Sequence, residues 1–104
     1  MELTLYWSQH SEEKLEDIFN YYKQKAGIKT ARKIVRDIID YTIDLNKNPE
    51  IGQKEELLEY SEQDFRYLVY TNYKIIYWIN HKKKRLEIAN IYDTRQNPDK
   101  IFQL

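Results

Sequence analysis

The sequence predicts an α+β fold, and two observations carry that prediction. Apolar residues recur at helical spacing through two consecutive segments before residue 46, and from Phe65 onward the period changes to two. The expected architecture is an N-terminal strand, an antiparallel helical hairpin, and then a three- to four-stranded antiparallel meander. The helices pack on one face of that sheet.

Glu2–Trp7 alternates, with Leu3, Leu5 and Trp7 on one side and Glu2, Thr4 and Tyr6 on the other, which is the pattern of a half-buried strand. Ser8 or Ser11 then caps a helix whose first turn carries Glu12 and Glu13 at its positive end. Its apolar stripe is Leu15, Ile18, Phe19, Tyr22 and Ala26, and Gly27 is placed to end it in a left-handed conformation. A second helix is predicted from about Lys29 to Asn46, with Ala31, Ile34, Val35, Ile38, Thr42 and Leu45 facing inward. The link between the helices is so short that they form an antiparallel hairpin. Asn48-Pro49 stops the second helix and Gly52 helps the chain turn.

Phe65–Thr71, Tyr73–Asn80 and Arg85–Tyr92 are three β-rich runs joined by short turns at Asn72 and His81–Lys84, which implies antiparallel pairing. The middle run is apolar on both sides, as a central strand covered on both faces is. Leu57–Tyr60 is read as a further short strand.

The chain has 104 residues and is expected to be one domain spanning 1–104. It carries ten Tyr, two Trp and three Phe against two Gly and two Pro, a makeup suited to half-exposed sheet faces and binding surfaces. Two glycines are too few for a phosphate-cradling loop. There is no cysteine, which removes disulfides, thiol catalysis and Cys-based zinc or iron–sulfur sites. No signal-peptide pattern opens the sequence and no run approaches a membrane span, so a soluble cytoplasmic protein is expected. Net charge is zero but unevenly placed: residues 1–64 carry 9 Lys+Arg and 14 Asp+Glu (−5), and residues 65–104 carry 8 and 3 (+5). A basic C-terminal half faces an acidic partner, either nucleic acid or an acidic protein segment, unless Lys82–Arg85 merely solvates a turn.

His10 and His81 are the only histidines and lack metal-ligand spacing, so neither a metal nor a cofactor is expected. Acid–base chemistry on RNA needs a base, an acid and cations that stabilise the phosphorane-like transition state. Arg66, Lys74 and Arg95 are the cations of the sheet region. Arg66 shares a side with Leu68 and Tyr70, and Lys74 with Ile76 and Trp78, which places each at a rim. An anion site forms if those rims meet; otherwise they are three separate surface charges.

Several motifs in this order resemble the RelE/ParE toxin family of bacterial toxin–antitoxin pairs. They are Trp7-Ser8 leading into Leu15, Ile18 and Tyr21-Tyr22, and the turn Asn48-Pro49-Glu50-Ile51-Gly52. They continue with Arg66-Tyr67-Leu68, Tyr73-Lys74-Ile75-Ile76-Tyr77, and Ile88-Ala89-Asn90-Ile91-Tyr92-Asp93-Thr94-Arg95-Gln96-Asn97-Pro98. The likeness spans nearly the whole chain and keeps the element order derived above.

The resemblance implies one of two activities. In a RelE-like, ribosome-dependent mRNA endonuclease, Lys74 and Arg95 fall at positions of catalytic arginines, and Glu55, Glu56 or Glu59 is the acidic group. The tail Asp99–Leu104 supplies neither the Tyr nor the His that many such enzymes carry there. In a ParE-like toxin, which binds and inhibits DNA gyrase, no catalytic set is needed, and the Arg66-Tyr67-Leu68 and Arg95-Gln96-Asn97-Pro98 segments fit that branch better. The ParE-like reading is preferred, with Arg66, Tyr70, Tyr73, Lys74, Tyr92 and Arg95 as target-contact candidates. Either branch implies a cognate antitoxin and a hetero-oligomer with it, and a non-toxic interaction module of the same fold is a third possibility.

Overall fold

The computed structural model describes residues 3–96. Its elements run β1 (Thr4–Trp7), α1 (Gln9–Ala26), α2 (Ile28–Ile43), β2 (Gln53–Lys54), β3 (Arg66–Tyr70), β4 (Tyr73–Asn80) and β5 (Arg85–Asp93). Asp44–Asn46 and Glu56–Leu58 form 3-10 turns. The strands make one five-stranded sheet in the order β1-β5-β4-β3-β2. All neighbours are antiparallel except β1, which pairs parallel to β5 from Thr4 opposite Arg85 to Trp7 opposite Ile88. The sheet is therefore mixed rather than a pure antiparallel meander. A parallel neighbour needs a crossover, and the helical hairpin supplies the first part of it.

Ser8 closes β1 and opens α1. Its Oγ accepts the Ser11 N–H at 3.1 Å, a cap of about 1 kcal/mol. Ser11, fully buried, lies 3.0 Å from the Ile88 carbonyl with its hydroxyl, so the start of α1 is tied to β5. Both candidate serines thus contribute, in different roles. Gly27 joins the helices at φ 91 and ψ 166; its N–H bonds Lys23 O and its carbonyl accepts from Ala31. The positive φ matches the expectation, but ψ is extended rather than left-handed helical, a combination essentially confined to glycine. α2 ends earlier than expected, because the chain tightens into the 3-10 turn holding the buried Leu45.

Ile18, Ile38, Leu45, Tyr73, Ile75, Tyr77, Leu86, Ile88 and Ile91 form the main core between the hairpin and one sheet face. The other face carries a smaller cluster of Leu58, Phe65, Ile76, Ala89 and Tyr92, with Tyr67 and Trp78 against it. Tyr73, Ile75, Ile76 and Tyr77 are all buried, as a strand covered on both faces requires. Between Ile76 and Tyr77 the β4–β5 register shifts by one residue and Ala89 becomes the extra residue of a bulge.

Leu57–Tyr60 is not a strand. The Glu55 carboxylate accepts the Leu57 N–H at 3.3 Å and starts a 3-10 turn, which drops Leu58 onto the second cluster. The extra strand is instead Gln53–Lys54, paired with Tyr67 and Arg66. Among the described residues no helix is long and apolar enough to cross a membrane.

Candidate functional site

Alternation along β3 and β4 sends the candidate cations to opposite faces. Lys74 lies on the helix-free face, with its Nζ 4.2 Å from the Tyr67 ring centroid and 3.0 Å from Glu55 Oε2. Glu55 is only 4 % exposed, and the Tyr67 hydroxyl is anchored by Gln53 Oε1 at 3.0 Å. The ring face and the carboxylate together compensate a cation largely withdrawn from water. Among the nuclease candidates, then, Lys74 and Glu55 meet, whereas Glu56 and Glu59 are exposed on the adjoining turn.

Arg66 points to the helix-bearing side. Its Nη1 donates to the carbonyls of Gly52 at 3.1 Å and Glu50 at 3.3 Å, and its Nη2 pairs with Asp64 at 3.3 Å. Its cross-strand neighbour Tyr77 is fully buried; the phenol donates to Pro49 O and accepts the Gly52 N–H, both at 2.8 Å. Burial pushes the Tyr77 phenol above its ordinary range. These two side chains clamp the Pro49–Gly52 turn. A Cβ at Gly52 would collide with the Tyr77 hydroxyl and lie 2.7 and 2.8 Å from its ring carbons. Glycine is needed there for close approach, not for a left-handed backbone.

Tyr73 and Arg95 line one open cleft of about 480 Å³ between the end of the sheet and α1, shared with Lys14, Asp17, Tyr21 and Asp93. Arg95 grips Asp93 through two bonds, Nε–Oδ1 at 3.1 Å and Nη2–Oδ2 at 3.0 Å, which hold that carboxyl below the usual carboxylate range. Its side chain remains 61 % exposed. Burial, followed by the Tyr22 hydroxyl, pushes the Tyr73 phenol well above its ordinary value. Lys14, Asp17 and Tyr21 are not among the contact candidates expected from the sequence, although their spacing of three and four puts them on one side of a helix together with Ile18.

Tyr70 and Tyr92 do other things. The Tyr70 hydroxyl bonds Asp37 of α2 at 3.1 Å, and its ring meets Tyr41 edge-on. Tyr92 is buried in the second cluster with its hydroxyl donating to Gln96 O at 3.1 Å. The expected exit residues Asn97-Pro98 and the tail Asp99–Leu104 lie outside the described residues.

Arg66, Lys74 and Arg95 therefore occupy three separate settings, each with its own carboxylate, rather than framing one anion. Among the described residues no cluster of three or more His, Cys, Asp or Glu is grouped to hold a metal ion. Among the described residues Tyr6, Tyr21, Tyr41 and Tyr60 are exposed, and tyrosine is a residue type enriched at protein interfaces.

A search of curated proteins found no match. Among solved structures, the chain is similar to one described as the chromosomal ParDE TA system from P. aeruginosa, with a TM-score of 0.75 and 21 % identity, covering 88 % of this chain and 96 % of that one. That likeness shows the fold. A family model described as the ParE toxin of type II toxin–antitoxin system, parDE, matches residues 5–98. The chain belongs to the ParE toxin family of type II toxin–antitoxin systems.

Proposed function

We propose that this toxin arrests growth by binding and inhibiting DNA gyrase in the cytoplasm, and that a cognate antitoxin neutralises it in a hetero-oligomeric complex. The observation that carries the binding mode is the separation of Arg66, Lys74 and Arg95, each held by a carboxylate of its own. Stabilising a phosphorane-like transition state calls for cations that converge on one site. A toxin that works by occupying its target has no such requirement. The target contact is assigned to the cleft that Arg95 and the rim of Tyr73 line; Arg66, Tyr70, Lys74 and Tyr92, engaged with Gly52, Asp37, Glu55 and Gln96, hold other parts of the fold. The antitoxin reading is supported by the family and by a structural relative described as a ParDE system. The single domain of 1–104 belongs to the same proposal.

One observation favours a second reading. Lys74 and Glu55 are 3.0 Å apart, a cation and a carboxylate of the kind a ribosome-dependent mRNA endonuclease would use. The two readings separate in one experiment. The chain is expressed alone, as the wild type and as Lys74→Ala, with expression and solubility matched. Under the gyrase reading both arrest growth, and co-expression with the neighbouring small open reading frame restores it and yields a soluble complex. Arrest abolished by Lys74→Ala in a folded protein supports the nuclease instead. No arrest by the wild type makes the chain a non-toxic interaction module.

A further inference from the structure

The β4–β5 turn is the most concentrated charge on the molecule, and the site described above makes no use of it. Lys82, Lys83 and Lys84 are consecutive and exposed, and among the described residues none has a carboxylate within 4.0 Å. The turn is also firmly held. Asn80 Oδ1 accepts the Lys83 N–H at 3.1 Å, and Lys84 O accepts the Thr4 N–H at 3.0 Å, which ties the turn to the start of β1. Just below, the Arg85 guanidinium stacks 3.9 Å from the Tyr6 ring and pairs with Glu87. Glu87 in turn accepts from Asn80 Nδ2 at 2.6 Å.

Two features separate this turn from an ordinary solvated one. Lys84 adopts φ 52, a left-handed conformation that Gly or Asn takes at less cost. Lys84 thus adds a third adjacent charge where the backbone favours another residue. In addition, Glu87, the carboxylate on the strand that follows, is engaged by Asn80 and Arg85.

We infer that the His81–Lys84 turn docks on the phosphate backbone of double-stranded DNA. Lysine ammoniums are compact point charges that meet phosphates without the planar fork used against carboxylates. Double-stranded DNA presents phosphates at short regular intervals, which adjacent lysines engage together. The DNA contact stands on the turn alone. Its use, gripping the DNA on which gyrase works, rests on the gyrase reading.

The test is fluorescence anisotropy of a labelled 30-base-pair duplex with the full chain at 50 and 200 mM salt. If the three lysines carry the contact, the logarithm of affinity falls with the logarithm of salt at a slope of about −2.7, roughly a 40-fold loss over that range. The variant K82Q/K83Q/K84N, with Asn chosen for the left-handed position, loses at least tenfold affinity at 50 mM salt. The variant K23Q/K25Q/K29Q removes three charges from the helices and retains most of the affinity. Circular dichroism melts establish that both variants are folded.

Four results overturn the inference: no binding by the wild type at 50 mM salt, equal losses in the two variants, tighter binding of single strands than duplex, or a turn variant that keeps its DNA affinity while losing affinity for poly-glutamate. Wild-type protein that binds DNA through the turn yet leaves supercoiling untouched sinks the gyrase reading alone.

Discussion

Gly52 sits directly against the hydroxyl of Tyr77: its N–H donates to that oxygen at 2.8 Å, and the same hydroxyl donates to Pro49 O at 2.8 Å. The contact locks the turn after α2 onto the central strand, with Arg66 holding the Glu50 and Gly52 carbonyls from the next strand.

Gly52→Ala forces a methyl into Tyr77 and is expected to destabilise the fold by about 3 kcal/mol, or at least ~10 °C in Tm. Tyr77→Phe strands a buried N–H and is expected to cost about 2 kcal/mol. The double variant costs less than the sum, because the phenol oxygen no longer opposes the methyl. Rescue is incomplete, since the ring carbons remain 2.7 and 2.8 Å away. Thermal melts of all four proteins measure the coupling.

The Lys74–Glu55 pair gives a second set of expectations. Lys74→Ala leaves a carboxylate that is 3 % exposed without its cation, while Lys74 itself is 23 % exposed, so the loss is reduced by screening to about 2 kcal/mol. Lys74→Met with Glu55→Gln keeps the volume and removes both charges, and is expected to unfold within about 1 kcal/mol of the wild type. Urea titration distinguishes the two.

The core and the helical hairpin were legible because their signals are local. The stripe through Ile18 in α1 and that through Ile38 in α2 announce buried faces, and the run Tyr73–Ile79 announces a central strand. The partner of β1 was not legible: parallel pairing with Arg85–Ile88 joins segments about 80 residues apart and leaves no turn signal. Leu57–Tyr60 misled because short apolar runs suit several conformations, and a single carboxylate, Glu55, decided for a 3-10 turn. For the candidate site, residue identity was informative but direction was not. Arg66 and Lys74 look alike in sequence, yet the alternation of paired strands sends them to opposite faces. The α1 side of the cleft, Lys14, Asp17 and Tyr21, becomes visible only once that helix is packed against Tyr73 and Arg95.

Stability is expected to fall at both ends of the pH scale. Tyr70, Tyr73 and Tyr77 have raised phenol pKa values, chiefly from burial. Their contribution is complete below the unfolded phenol value of about 10 and is lost as pH rises through the folded ones. Asp37 and Asp93 are depressed, chiefly by the hydrogen bonds from Lys33 and Arg95. Their contribution is present above about pH 4 and disappears as pH falls through the folded values. Melting temperatures across pH 2–12, with absorbance at 295 nm following tyrosinate, test both arms. Tyr73→Phe is expected to flatten part of the alkaline fall, and Asp93→Asn part of the acid one.

Arg95 is the cation at the cleft with most of its side chain in water. Reversing it with Arg95→Glu is expected to raise the concentration needed to inhibit gyrase at least tenfold, while Tm moves by only a few degrees. A supercoiling titration beside a thermal melt measures both.

Gyrase binding and RNA cutting are separated by one preparation of the wild-type chain, assayed side by side for gyrase supercoiling and for cleavage of mRNA on translating ribosomes. A gyrase-binding toxin inhibits supercoiling and leaves the mRNA intact. Undisturbed supercoiling with cleaved mRNA overturns the gyrase reading.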